Sequence, residues 1–519
     1  MAELDNRFGS GIFIACGINC VFFLATLARF TWNYCLAYGI YKRNNKGVKL
    51  VFIDPAGPVK GFNSGLGYLS SLLRGKKDVT LRVIDLNNNP YNADRRISEL
   101  HEIKADVIGI SLKSHTLRPA IALLEKHKEP RTLVVAGGPE VTLERGQLLN
   151  EHGIFDYCFT GECEKSFPGF IQRLLEGGDF SEVAGLSYRD KTGRVVCNEP
   201  DTIGNLDELP FPDFSFFDSI NYIREKYPLV TSRGCPYKCS YCAVGKISGM
   251  PWRFRRPAHV VEELVCAQKN YKIRNFEIAD DNFTMDIARA KEICRLLINK
   301  RLPLKWTCIN GIRADRVDDE LFKLMRLAGC QGIWFGVETL NREVFQMVNK
   351  GEKIETILQA VTLARKNGIA VSGFFIVGLP HSTFKTDTES LALSKKLRLR
   401  EALWSLATPM PHTEMADWVA KNAKILRDYR DASFFKSVQP VFETPDYPAK
   451  ERMRMFYKAN IASHCYSIFF SEKIVMADIV KFIGLLFRYD LIHIFAHLAT
   501  IFFSRSHRKY LKEALKRIG

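Results

Sequence analysis

Cys235, Cys239 and Cys242 lie within eight residues of one another, in the run Thr-Ser-Arg-Gly-Cys-Pro-Tyr-Lys-Cys-Ser-Tyr-Cys at 231–242. They follow directly on the apolar run 227–230, and Gly234 and Pro236 punctuate the loop that carries them. Three thiols so spaced can close around one metal cluster. Thiolates are soft ligands that select zinc or iron–sulfur clusters. A structural zinc site is closed by four ligands, and no second Cys or His pair lies nearby in the chain. Iron–sulfur clusters are usually held by four cysteines. Three ligands therefore suggest a 4Fe–4S cluster with one iron left open to a small molecule. The alternatives are a zinc site or a chance clustering of buried cysteines.

A loop of this kind needs a scaffold, and the chain offers two series of alternating strand and helix patterns. In the first, over 48–178, short apolar runs at 49–53, 81–84, 107–111, 132–136 and 157–160 read as strands, with amphipathic stretches such as 66–73 and 121–127 between them. This is the rhythm of a parallel sheet with helices on both faces. Ligands of such sheets bind at the carboxyl ends of the strands. Ser111 and Thr116, Gly137 and Gly138, and Gly161 stand there. The second series, 227–410, has strand patterns at 229–232, 275–279, 304–309, 332–337, 371–377 and 402–407. Helical patterns at 260–271, 288–299, 319–327 and 354–366 fall between them. Six such units make a partial (β/α)6 barrel, whose site residues belong at the carboxyl ends of the strands. Asp280, Asp281, Arg313, Glu338 and Gly378 occupy those ends. Each also has a plainer role. Asp can cap a helix, an arginine can sit on the surface, and a glycine can mark a turn.

The spacing Cys-x3-Cys-x-Tyr-Cys resembles the signature of the radical S-adenosylmethionine (SAM) superfamily, with Tyr241 as its aromatic. That resemblance implies a 4Fe–4S cluster whose open iron chelates the amino and carboxylate groups of SAM. An electron from the cluster then breaks the sulfonium bond and yields a 5′-deoxyadenosyl radical. It implies that Asp280 or Asp281 meets the SAM amino group, that Arg313 pairs with a carboxylate, and that Glu338 lies near SAM. Phe335-Gly-Val-Glu-Thr339 is similar to the family's Gly-Val-Glu-Ser, with Thr339 keeping the hydroxyl. Gly373–Pro380 resembles the segment that packs on adenine. An external one-electron donor of flavodoxin or ferredoxin type is also implied.

The first series resembles the cobalamin-binding domain found ahead of many radical SAM enzymes. The matching pieces are 65–69, Val83-Ile-Asp85, Asp106–Ser111, Gly137-Gly-Pro139 and Gly161-Glu162. Mutase-type relatives of that domain supply an axial histidine from Asp-x-His-x-x-Gly. His101, His115, His127 and His152 all fail the pattern, so cobalt would lack a protein imidazole. The domain order is similar to the subgroup containing the anaerobic magnesium-protoporphyrin cyclase and several carbon and phosphorus methyltransferases. In the methyltransferases, methyl passes from cobalt to a substrate carbon radical. Methyl transfer is the favoured reading. The rivals are a radical cyclase or rearrangement enzyme, with or without cobalamin, and a non-catalytic cobalamin or Fe–S sensor.

At 519 residues the chain exceeds one ordinary core, and two or three domains are expected. The expected order is a hydrophobic N-terminal segment, 1–47, and a Rossmann-like doubly wound sheet, 48–180. A linker with a hairpin, 181–226, the radical SAM core, 227–410, and a helical, basic region, 411–519, follow. The 46% apolar content is that of a globular protein. Scattered cysteines among the fourteen indicate a reduced compartment and no disulfide framework. Cys266, Cys294, Cys308 and Cys330 read as core residues. A net charge of +17 suits an anionic membrane surface or substrate. No nucleic-acid-binding motif is recognisable, and no nucleic-acid partner is expected.

Residues 10–28 carry no charge and are long enough to span a bilayer, and Lys42, Arg43, Lys46 and Lys49 follow. This makes an N-terminal anchor, with the catalytic domains on the cytoplasmic side of the membrane, the expectation. Residues 479–503 are apolar and aromatic but lack a clean amphipathic stripe, so a buried helix, a lid and an interfacial helix all stay open. The tail 505–517 is basic. These termini favour a membrane-associated or lipid-like small-molecule substrate.

Overall fold

The computed structural model describes residues 47–57, 60–89, 93–432 and 438–470. The anchor segment, the 479–503 stretch and the basic tail lie outside the described residues. Among the described residues no helix is long and apolar enough to cross a membrane. The chain forms two compact units. One comprises the residues up to Gly204 with Glu208–Asn221, the other Asn205–Asp207 and the residues from Tyr222 onward.

The first unit is built on seven strands: β1 (Val48–Asp54), β2 (Val79–Asp85), β3 (Val107–Ser111), β4 (Leu133–Gly137), β5 (Tyr157–Phe159), β6 (Leu186–Arg189) and β7 (Val195–Cys197). Their order is β2-β1-β3-β4-β5-β6-β7. The first five pair in parallel. In β1 all residues but Lys49 are buried, as expected of a strand covered on both faces. The strand order reverses between β1 and β3, and the carboxyl ends of those two strands define the crevice of a doubly wound sheet. The connector hairpin is present, and it also pairs antiparallel with β5, so it extends the sheet. A core of Val51, Ile53, Ile84, Ile108, Ile110 and Val134 lies against the helices.

The second unit begins with β8 (Tyr227–Leu229), β9 (Ser232–Arg233), β10 (Arg253–Phe254), β11 (Asn275–Ile278), β12 (Lys305–Ile312), β13 (Cys330–Glu338), β14 (Ala370–Val377) and β15 (Glu401–Leu406). Six of these form one parallel sheet in the sequential order β8-β11-β12-β13-β14-β15. Helices Pro257–Tyr271, Ile287–Lys300, Asp319–Leu327, Ile354–Lys366 and Phe384–Ser394 alternate with them. This is the expected partial barrel. One boundary differs from the sequence expectation. The run at 229–232 is not one strand, because the Thr231 N–H leaves the ladder and donates to the Asp280 carboxylate at 2.6 Å. Ser232 then starts a short antiparallel ribbon with β10.

Cys294, Cys308 and Cys330 are buried as expected, but Cys266 is exposed. Its helix buries Val260, Val261, Leu264 and Ala267, and at 3.6 residues per turn position 266 falls off that face. Helix Ala449–Phe470 lies along β15, where Asn460 Nδ2 donates to the Trp404 carbonyl at 3.1 Å and Trp404 Nε1 to Ser463 Oγ at 3.0 Å.

Candidate active site

The cysteine loop is fixed by its own backbone and by its neighbours. Gly234 adopts φ +84, and a Cβ there would stand 2.4 Å from the Pro251 carbonyl oxygen. Its N–H donates to Asp281 Oδ2 at 2.9 Å. The Cys235 N–H donates to the Gly249 carbonyl at 3.2 Å, the Cys242 N–H to the Cys239 carbonyl at 3.0 Å, and the Ser240 N–H to the Val348 carbonyl at 2.9 Å. Two thiols also receive backbone hydrogen bonds, Cys235 from Tyr237 and Cys242 from Val244. Burial pushes Cys239 up to about 12 and Cys242 up to about 11, so these thiols become thiolates by exchanging their protons for metal. Among the described residues no three His, Cys, Asp or Glu side chains are grouped to hold a single metal ion. A cubane cluster takes each thiolate on a different iron and suits more widely spaced thiols. Three half-buried thiols on one loop, two of them carrying N–H donors, fit a 4Fe–4S cluster.

Gly234→Ala should cost more than the ~1–2 kcal/mol of a left-handed backbone alone, because the neighbouring carbonyl must also move. The expected outcome is iron content below about half of wild type with far-UV circular dichroism unchanged. Wild-type iron in this variant would show that the loop tolerates the shift.

Around the loop, the strand ends bring their side chains together. Asp280, after β11, is buried. Its carboxylate accepts the Thr231 N–H at 2.6 Å, the Ser232 hydroxyl at 2.7 Å and the Thr231 hydroxyl. Burial raises its pKa, and Arg289 opposes the rise. Asp281 holds Gly234. Both carboxylates are thus engaged by the segment leading into the cysteines.

Glu338, the last residue of β13, has φ +63. A non-glycine residue held there stores about 1–3 kcal/mol of strain. Its Oε1 accepts the Tyr241 hydroxyl at 2.7 Å and faces Lys350 Nζ at 3.3 Å. Tyr241 packs against an apolar cluster that includes Val344, Val348, Leu379 and Met415. Lys350 is buried, lies 3.3 Å from Glu352 Oε2 and also donates to the Gly336 carbonyl. Arg313, after β12, donates to the Lys350 carbonyl at 2.8 Å and to both Asp315 oxygens at 2.9 and 3.0 Å. Its guanidinium lies over the Tyr237 ring at 3.4 Å. The loop is therefore gripped through two tyrosines by charged groups from β12, β13 and the turn at 349–352. Lys350 and Glu352 were not foreseen. Their only sequence signal is an Asn-Lys-Gly-Glu turn, which is common on surfaces. Gly378, after β14, is held by Asp387 and Arg452.

In the first unit, Ser111 Oγ accepts from Asn63 Nδ2 at 3.0 Å, and Asn63 also caps helix Ser64–Leu73. Thr116 folds back on Lys113, with 2.9 Å bonds to its N–H and carbonyl. The Gly137 carbonyl accepts the Leu112 N–H at 2.7 Å. Gly138 has φ +100, and a Cβ there would stand 2.7 Å from the Leu112 carbonyl oxygen. Gly161 has φ +74 and donates to Thr142 Oγ1 at 3.0 Å. Asp54 Oδ2, His115 Nε2 and Thr160 Oγ1 are buried and have no hydrogen-bond partner among the described residues. All three lie at carboxyl ends, of β1, β3 and β5. Burial, with Lys113 adding to it, holds His115 down at about 4, so the imidazole is neutral at neutral pH. Orphaned polar atoms along this edge, with a glycine at 137 whose added Cβ would meet only Phe159 Cβ at 4.0 Å, fit a polar-rimmed cofactor such as cobalamin. Asp54, Ser111 and His115 stand at this edge, whereas the buried Thr116 hydroxyl is already engaged by Lys113.

Comparison with known proteins finds both domain types. Residues 229–394 match the radical SAM superfamily and residues 58–171 the B12-binding domain. The chain is 28% identical over 432 residues to an uncharacterized methyltransferase of Pyrococcus horikoshii, covering 82% of this chain and 91% of that one. It is 27% identical over 393 residues to the anaerobic magnesium-protoporphyrin IX monomethyl ester cyclase of Rubrivivax gelatinosus, covering 73% and 69%. The fold is similar to that of the radical SAM methyltransferase TsrM of Kitasatospora setae, solved with cobalamin and a 4Fe–4S cluster bound. The TM-score is 0.61 and the identity 20%, over 72% of this chain and 78% of that one. A 4Fe–4S cluster, SAM and cobalamin are accordingly the cofactors of this protein. With a B12-binding domain at 58–171 ahead of a radical SAM domain at 229–394, the chain resembles the radical SAM enzymes that carry cobalamin.

Proposed function

We propose that this protein is a cobalamin-dependent radical SAM methyltransferase that methylates an unactivated carbon of a small-molecule substrate. The observation that carries the reading is the pairing of the two sites. Three thiols sit on a loop clamped by residues at the ends of β11, β12 and β13, and a separate sheet edge has orphaned polar atoms suited to a corrinoid. When bound, the cluster and cobalamin supply electron transfer and methyl carriage. The chain's own residues hold and orient. Cys235, Cys239 and Cys242 hold the cluster, Glu338 and Arg313 orient SAM, and Tyr241 ties the loop to Glu338. Asp280 and Asp281 set the entry to the loop, and Gly378 flanks the adenosine. Ser111, Thr116, Gly137, Gly138 and Gly161 line the cobalamin edge. A lipid-like or membrane-associated substrate is supported by the apolar character of the two termini, and a flavodoxin- or ferredoxin-type donor by the need for one electron at a time.

The test is anaerobic incubation of reconstituted protein with reductant, SAM carrying a labelled methyl group, and separate lipid and aqueous extracts. Label in a lipid product is the expected outcome. Label in the aqueous pool would keep methyl transfer and remove the lipid substrate. Release of 5′-deoxyadenosine with no transferred label would replace methyl transfer by another radical outcome. Purified with cobalamin, the protein should carry a corrinoid without a protein imidazole on cobalt. A nitrogen-coordinated cobalt signal that disappears in His115→Ala would overturn that assignment.

A further inference from the structure

Gly378 follows β14 at the barrel's carboxyl edge, and both of its backbone polar groups are taken by charged side chains. Its N–H donates to Asp387 Oδ2 at 2.9 Å, and its carbonyl accepts from Arg452 Nη1 at 2.7 Å. Asp387 belongs to helix Phe384–Ser394 and Arg452 to helix Ala449–Phe470, and both are buried. The Tyr447 hydroxyl donates to the same Asp387 oxygen at 3.0 Å, and Arg452 Nε donates to the Tyr447 carbonyl at 2.9 Å. The guanidinium lies 4.3 Å from the Phe442 ring centre and 4.8 Å from that of Tyr447. Burial pushes the Asp387 carboxyl up to about 7, against the pull of the Gly378 N–H, the Tyr447 hydroxyl and Arg452.

Buried ion pairs add little net stability compared with apolar packing of similar volume. Here Asp387 and Arg452 instead fix the two peptide units on either side of the Gly378 Cα. Gly378 has φ +79, and a Cβ there would stand 2.3 Å from Arg452 Nη1. A bare glycine backbone locked at a strand end allows a flat ligand to approach closely. The neighbouring ends of β12 and β13 carry Arg313 and Glu338.

We propose that Arg452, Asp387 and Tyr447 are positioning residues that hold the Gly378 turn against the adenosine of SAM. The segment from 438 to 470 is then a working part of the SAM site and not a separate cover. The inference rests on the reading that the Gly378 segment meets SAM.

The experiment uses full-length protein with its cluster reconstituted anaerobically, and measures SAM binding by equilibrium dialysis, iron per chain and Tm. Arg452→Met should weaken SAM binding about tenfold or more with iron at the wild-type level, and Arg452→Lys should restore part of it. Tyr447→Phe removes one hydroxyl and should weaken SAM about threefold. It is also the variant to read if Arg452→Met does not fold. A merely structural role would lower Tm and leave the affinity of folded protein unchanged, and unchanged affinity in Tyr447→Phe and the folded Arg452 variants overturns the proposal. Photolabelling with an azidoadenosyl SAM analogue separates the two failures. Label in 373–380 with unaltered affinities rejects the clamp alone, whereas label confined elsewhere rejects the reading beneath it.

Discussion

Alanine at Cys235, Cys239 or Cys242 is expected to abolish SAM cleavage and to take iron from about four per chain to below about one. Each thiolate would hold a different iron, and two ligands would not retain a cubane with one corner already open. The three thiols sit on a loop that is otherwise tied down through Gly234, Ser240 and Tyr241, so each substitution removes a ligand without unfolding the barrel. Cys266→Ala is the matched control. Exposed on the outside of its helix, Cys266 should be replaceable with iron, 5′-deoxyadenosine release and Tm all at wild-type values. Iron analysis and chromatography of 5′-deoxyadenosine check all four proteins. Iron and cleavage surviving in the three loop variants would remove the cluster from this site.

Lys350→Met carries the largest expected loss of stability. The ammonium lies between Glu338 Oε1 and Glu352 Oε2, each 3.3 Å away, and it also holds the Gly336 carbonyl. Removing it leaves two buried carboxylates, one facing the Tyr241 hydroxyl and the other the Ala314 N–H, Asp315 and Arg313. Breaking a buried pair from one side costs about 3–5 kcal/mol. The lower figure lowers Tm by roughly 6–12 °C for a unit of this size. Glu338→Gln should cost less, because the amide oxygen still accepts from Tyr241 and Lys350 keeps Glu352. Its main effect falls on SAM affinity. Thermal unfolding of the two variants side by side gives the comparison. A Lys350→Met protein within about 1 kcal/mol of wild type would mean that the two carboxylates find protons or water at little cost.

The strand series and the cysteine loop were legible because their signals are local. Strands covered on both faces give short apolar runs, and the helices Asp319–Leu327 and Ile354–Lys366 begin and end where their periodicity does. The thiol spacing, the glycine before Cys235 and the polar residues at successive strand ends are likewise written along the chain. The strand before the cysteines was misjudged for a reason no local pattern carries. Val230 and Thr231 are β-formers, yet Asp280, 49 residues away from Thr231, takes the Thr231 N–H out of the ladder. Cys266 was misjudged because its neighbours are apolar, whereas helix phase decides which of them face inward.

Sequence alone determined the two domain types and their order and singled out three thiols as the candidate cluster ligands, since each rests on residue type at short, regular spacing. Tertiary structure alone decided how those parts are held. Tyr241 and Glu338 are 97 residues apart, and Gly378 and Arg452 are 74 apart. Lys350 looks like a surface lysine until folding buries it between two carboxylates. A charge acquires its partner and its cost only when water is excluded around it, and that exclusion is a property of the packed barrel rather than of any stretch of chain.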